Sequence, residues 1–299
     1  MNKHVSTKFH AMGGTFEVTV VGHEIGLVEK AEPFILKLEK YWSRFESTSD
    51  ISRINQAEGK PVSVSDETIL LVSLMIEANK KTEGAYDPTI LPALLEIGYS
   101  ESHTGSGKKT LLPESAVWPA TLKGTEIGHG IVKLPKGTTL DSGGIGKGLS
   151  ADLLISHLME SGADGVLVSA SGDVVVAGES LDGHSWKIGV EDPFNSNSEF
   201  EVVQLTSGGV ATSSSIKKQF GTNTHHLMFK APDSIPENEV ATVTVIASSG
   251  CNSETLTKIA FANSIDKSIE MIEKLKGAAL IVCKNGEIIR SPRWFDYLS

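Results

Sequence analysis

The stretch "GADGVLVSASGDVVVAG", residues 162–178, constrains the fold more than any other part of the chain. Two runs rich in β-branched residues flank a polar Ser-Gly-Asp segment, which reads as two strands around a turn. "WKIGVEDP", "FEVVQLTSGGVATS" and "EVATVTVIAS" continue the series of short strands beyond it. Upstream, "GTFEVTVVG" alternates as a strand does, while residues 27–45 carry apolar side chains at helical spacing. "SDETILLVSLMIEANKKTEG" predicts a second helix, opened by an Asp/Ser cap region and closed by Gly84. Strands clustered after Gly162 with helices elsewhere indicate an α+β fold rather than regular βαβ winding. Residues 100–137 read as an irregular excursion, and "KAPDSIPENE" as another loop.

A chain of 299 residues, 39% hydrophobic and 21% charged, can bury a full core. Its formal charge of −10 argues against a long nucleic acid or an anionic membrane surface as a partner, since each phosphate contact wants a cation. A single small anion stays open, because backbone N–H groups bind one locally. Cys251 and Cys283 show no metal-ligand spacing and are expected to be reduced. No run approaches the ~20 apolar residues of a membrane span, and the first residues lack the apolar core of a signal peptide, so a cytoplasmic location is expected.

"DSGGIGKGLSADLL", residues 141–154, packs four glycines and a lysine into a turn that runs into an apolar helical pattern. A helix beginning near Lys147, with Leu149, Leu153, Leu154 and Leu158 inward, would present free N–H groups and a positive dipole end to an anion. Walker A fails on spacing, since it needs Gly at Asp141 and Ser or Thr at Gly148. The dinucleotide fingerprint fails as well, since this turn is G-x-G-x-G. Two readings remain: an anion cradle, or a tight turn before a helix with a surface lysine.

The order "AMGGTF", "SRFESTSDISRIN", "GAYDPTI", "DSGGIGKGLSAD", "SGDVVVAG", "GVATSSS" and "THHL" resembles the ApbE family of FAD-dependent FMN transferases, through nearly the whole chain. The resemblance implies a single ApbE-like domain over residues 1–299, with a mixed, mainly antiparallel sheet and flanking helices. It implies FAD as cofactor and a partner protein whose Thr or Ser hydroxyl receives FMN with release of AMP. Carried over, Met12 and Asn55 border the FAD pocket, Phe45 stands where a flavin-stacking aromatic is expected, and Ala85, Tyr86 and Asp87 contact flavin. Asp141 and Lys147 grip the cofactor, the Gly144 carbonyl faces Mg2+, and His226, favoured over adjacent His225, lies near the diphosphate. Lys147 and His226 are the candidate catalytic groups, with His226 ahead of Asp87 as the base.

Two departures from the family pattern bear on chemistry. "HHLMFKAPDSIP" lacks the family's D-P-x-T-G segment after the histidines. In "CNSETLTKIAFA", Glu254 takes the place of a metal-binding Asp and Lys258 that of a Thr, and an ammonium has no lone pair for a cation. A shifted pair, Ser253 with Thr257, restores a hydroxyl but loses the carboxylate. Either Lys258 substitutes for the metal's charge on the FAD diphosphate with Glu254 positioning it, or the two form an ordinary i, i+4 surface pair. Besides transfer, an FAD sensor or carrier without transferase activity, and an FAD pyrophosphatase giving FMN and AMP, stay open. "SGGVATS" falls where the family has its own "ATS" segment, so self-flavinylation is not expected.

Overall fold

The computed structural model describes residues 3–22, 25–101, 107–216 and 239–298. These fall into two compact units: the first comprises the described residues within 1–35, 147–218 and 228–299, the second those within 36–146.

The first unit is built on an eight-stranded sheet whose spatial order follows the chain: His4–Ala11, Gly14–Val21, Gly165–Ala170, Asp173–Gly178, Ser207–Ser214, Val240–Ala247, Ala278–Cys283 and Ile288–Arg290. Every neighbouring pair is antiparallel, so the α+β expectation holds. Two hairpins share one construction. Ala11 pairs with Gly14 across Met12 and Gly13, and Ala170 pairs with Asp173 across Ser171 and Gly172. All four loop residues have positive φ (51°, 73°, 57° and 99°), the twist that two-residue hairpins favour. The two turns are adjacent: the Ser171 N–H donates to the Thr15 carbonyl at 2.8 Å, and a Cβ on Gly14 would lie 1.8 Å from Ser171 Oγ.

A separate hairpin, Trp186–Asp192 with Asn195–Leu205, supplies Trp186, Ile188 and Val203 to an apolar cluster with Val176, Leu280 and Trp294. Val240–Ala247 is buried at every residue and reads as a central strand covered on both faces. Helix Gly146–Glu160 buries Leu149, Leu154 and Leu158, with Leu153 half-buried, as its pattern predicts. The helix of residues 27–45 is instead a 3-10 turn, Ile25–Lys30, followed by an α-helix, Ala31–Trp42, so Phe45 lies beyond its end.

In the second unit, the helix Asp66–Lys81 starts where Ser65 accepts from the Thr68 N–H, and Gly84 follows its end at φ 82°. Asp50, at the start of helix Asp50–Gln56, receives the Ser65 N–H, the Ser65 hydroxyl and the Thr68 hydroxyl, tying the two helix starts together. The excursion over residues 100–137 is not wholly irregular. Glu126–Gly128 and Ile131–Lys133 form a hairpin that pairs with Val62–Ser63. Among the described residues no helix is long and apolar enough to cross a membrane. Cys251 and Cys283 are buried and not joined in a disulfide.

Candidate functional site

In the first unit, the Gly146–Glu160 helix carries Lys147 at its second position. Its ammonium donates to Asp173 Oδ2 at 3.1 Å and to Glu254 Oε1 at 3.2 Å. Asp173 opens its strand directly after the Ser171-Gly172 turn, and Glu254 lies in the helix Gly250–Leu256. The remaining carboxylate oxygens are also occupied: Asp173 Oδ1 receives the Thr212 N–H at 3.1 Å and Glu254 Oε2 the Gly148 N–H at 2.8 Å. One N–H of the helix's first turn is therefore bound by the protein's own carboxylate. Burial by itself would lower the Lys147 pKa, yet the charges of Glu254 and Asp173 outweigh it and hold it well above the ordinary lysine value. Burial likewise would raise Glu254, while Lys147, Lys258 and the Gly148 N–H hold it below the usual carboxylate range.

Lys258 follows the same helix. Its ammonium donates to the hydroxyls of Ser213 and Thr257, each at 3.0 Å, and those hydroxyls lie 2.7 Å from one another. Glu254 thus engages Lys147 by hydrogen bond and Lys258 by charge. Ser253, the alternative hydroxyl, is buried and donates to the Gly250 carbonyl at 3.0 Å. Asp152, one turn along the Gly146–Glu160 helix, accepts the Gly250 and Cys251 N–H groups at 2.7 and 2.8 Å. Burial raises its pKa to about 6, with the Glu254 charge adding and the two N–H groups opposing.

In the second unit, Asp141 is buried between the Arg44 Nε, 3.0 Å from Oδ1, and the Gly143 N–H, 2.9 Å from Oδ2. Arg44 also donates to Thr110 Oγ1 at 2.7 Å and to the Tyr99 carbonyl at 2.9 Å. Its guanidinium stacks on the rings of Phe45 and Tyr99, 4.3 and 4.4 Å from their centroids. Asn55 bonds both polar groups of Leu140: it donates to the carbonyl at 2.8 Å and accepts the N–H at 2.7 Å. That fixes the backbone just before the glycine turn, in which Gly144 has φ 80°. Asp87 accepts the Thr89 N–H and hydroxyl at 2.8 Å and the Trp118 Nε1–H at 2.9 Å. Ala85 and Tyr86 continue the same turn, the Tyr86 N–H donating to Thr82 Oγ1 at 3.0 Å.

The structure therefore gathers Lys147, Glu254 and Lys258 in the first unit, with Met12 in the hairpin turn beside the Ser171 turn. In the second unit it gathers Asp141 and Phe45 around Arg44. His225 and His226 lie outside the described residues, as does the segment after them. Arg44, Asp173 and Ser213 escape a reading of the sequence alone, while Thr257 enters it only as the hydroxyl of a shifted pair with Ser253. Asp173 has a local signal, a charged residue in the turn between two apolar strands, but its partner is 26 residues away.

A model of the ApbE family matches residues 12–282. An FAD:protein FMN transferase of Haemophilus influenzae is 24% identical, over 99% of this chain and 92% of its own length. One of Klebsiella pneumoniae is 25% identical, over 94% and 89%. Among solved structures, the ApbE protein of Thermotoga maritima superposes with a TM-score of 0.87 at 23% identity, covering 99% of this chain and all of that one. The flavin transferase ApbE of Vibrio cholerae gives 0.81 at 20% identity, with both chains fully covered. At these identities the structural matches establish a common fold.

Proposed function

Because the chain belongs to the ApbE family, we propose that it acts as an FAD:protein FMN transferase, as its relatives are named, with residues 1–299 working as one catalytic domain in the cytoplasm. The observation that carries this reading is the Lys147 ammonium, fixed by Asp173 and Glu254 where the glycine turn becomes a helix. A positive group held rigidly in a half-buried place stabilises charge developing on a diphosphate without reorganising. In the reaction, an acceptor Thr or Ser oxygen bonds to the FMN phosphorus, the bond to AMP breaks, AMP leaves with the bridging oxygen, and a base takes the hydroxyl proton.

Met12, Lys147 and Lys258 are assigned to contact FAD directly, with Phe45, Ala85 and Tyr86 on the flavin side and His226 as the proton acceptor. Asn55, Asp87 and Asp141 are assigned as positioning residues. Their side-chain atoms are already bound to Leu140, to Thr89 and Trp118, and to Arg44 and Gly143, so what they present to FAD is ordered backbone.

Incubation with FAD and a Thr- or Ser-bearing acceptor protein, followed by thin-layer separation of the flavins, tests the reading. Transfer yields AMP and an acceptor that stays fluorescent after denaturation. Equal AMP and free FMN would make the protein a pyrophosphatase, and intact bound FAD with no AMP would make it a carrier or sensor; either result overturns transfer.

A further inference from the structure

The Lys147 and Lys258 cluster bears on the magnesium ion that the family resemblance brings with it. Magnesium asks for about six oxygen ligands at ~2.0–2.1 Å in near-octahedral array, and each must offer a lone pair. The oxygens are present here, on Asp173, Glu254, Ser213 and Thr257. Each already faces a hydrogen-bond donor. The four carboxylate oxygens receive Lys147, Lys147 again, the Thr212 N–H and the Gly148 N–H. The two hydroxyls both receive Lys258, and the Thr257 hydroxyl donates to the Glu254 carbonyl at 2.7 Å. Among the described residues no three His, Cys, Asp or Glu side chains are grouped so as to hold a metal. The donor set does not fit a hard divalent cation.

The charges tell the same story. Two ammonium groups bring the same two positive charges that one magnesium ion would, and they are matched by the two carboxylates. Adding the metal would put a double charge within reach of two fixed cations, a repulsion that half-burial makes costly.

We infer that this chain binds its flavin dinucleotide without a divalent cation at this cluster, with Lys147 and Lys258 built in as the covalent counterpart of the metal's charge. The inference rests on the reading of FAD as substrate, and it names the requirement by which this chain departs from that family chemistry. Lys147, anchored on both carboxylates, is the fixed charge. Lys258, which donates to the Ser213 and Thr257 hydroxyls, is the second charge assigned to the diphosphate.

The test pairs two measurements on the intact protein. Calorimetric titration with MgCl2 alone should give no binding heat at millimolar metal, and a saturable heat there overturns the inference whether or not FAD binds. FAD affinity, followed by flavin fluorescence, should be the same within about twofold in EDTA and in magnesium, whereas Lys258→Gln should weaken it by about tenfold or more in both. Loss of wild-type affinity in EDTA with recovery on adding magnesium would overturn it, as would a Lys258→Gln variant that binds FAD like the wild type. Glutamine keeps an N–H donor for Ser213 and Thr257, so a matching melting curve shows that the variant is folded. Failure of FAD to bind under every condition would instead remove the transferase reading, and the magnesium titration would still decide the metal question.

Discussion

Asp152 and Glu254 are carboxylates of the same unit that burial pushes in one direction and their neighbours send to opposite net shifts. Glu254 has two cations beside it and is held ionised, while Asp152 has only two backbone N–H groups and is raised to about 6. A carboxyl whose folded pKa exceeds its unfolded value binds extra protons in the folded state between the two values. Its contribution to stability is therefore largest near pH 4 and falls as pH rises toward about 6, by at most about 1.4 kcal/mol per pH unit. Asp152→Asn removes that titration. Urea denaturation of both proteins across this range should show the stability advantage of the wild type shrinking from pH 4 to pH 7; a gap that is constant or grows would contradict the assigned pKa. Arg44 makes a second residue-scale case. Its fork reaches Asp141, Thr110 and the Tyr99 carbonyl at once while its plane stacks on two rings. A lysine has neither the fork nor the plane, so Arg44→Lys should cost about 2–3 kcal/mol in chemical denaturation despite keeping the charge.

At the scale of elements, glycines decide how closely the Gly146–Glu160 and Gly250–Leu256 helices approach. A Cβ on Gly148 would lie 2.3 Å from the Gly250 carbonyl oxygen, and one on Gly250 would lie 2.4 Å from Val175 Cγ2. That approach lets Glu254 reach both the Gly148 N–H and Lys147. Gly148→Ala must push the helices apart, with an expected loss of about 1–3 kcal/mol and weaker FAD binding as Glu254 leaves its place. Gly146→Ala is the control, because its Cβ would meet Ser142 Cβ at an ordinary 3.6 Å. Equal melting temperatures for the two variants would refute the close-approach account.

The same elements show what the sequence makes legible. Hairpins such as 165–178 are written locally, since both strands and their turn lie within one short window. The strand His4–Ala11 is not, because an edge strand exposed on one face reads as polar, with Lys8 paired to Glu17 across to its neighbour. "AALIVC" at 278–283 is buried throughout, and so short an apolar run carries no period by which strand and helix could be told apart. Of the candidate site, Lys147 is legible from the glycine turn that precedes it. Its bond to Glu254 spans 107 residues and that of Asn55 to Leu140 spans 85, so only the folded chain reveals them.

At the scale of the whole molecule, the proposed function asks a chain of net charge −10 to bind a dinucleotide that is itself an anion. The long-range field is therefore unfavourable, and affinity has to come from donors at short range. The two contributions respond differently to salt. Repulsion across the exposed surface is screened within about 8 Å at physiological ionic strength. The half-buried lysines, held at contact distance by their own partners, are screened much less. A ligand that binds only the folded chain stabilises it by about 2.7 kcal/mol at roughly a hundredfold excess over Kd, which for a chain of this size raises the melting temperature by roughly 4 °C. Melting curves with FAD should therefore keep that rise, or enlarge it, when salt is taken from about 0.01 M to about 0.15 M. A rise that disappears with salt would mean that exposed surface cations hold the dinucleotide, and Lys147, fixed between Asp173 and Glu254, would lose its assigned role.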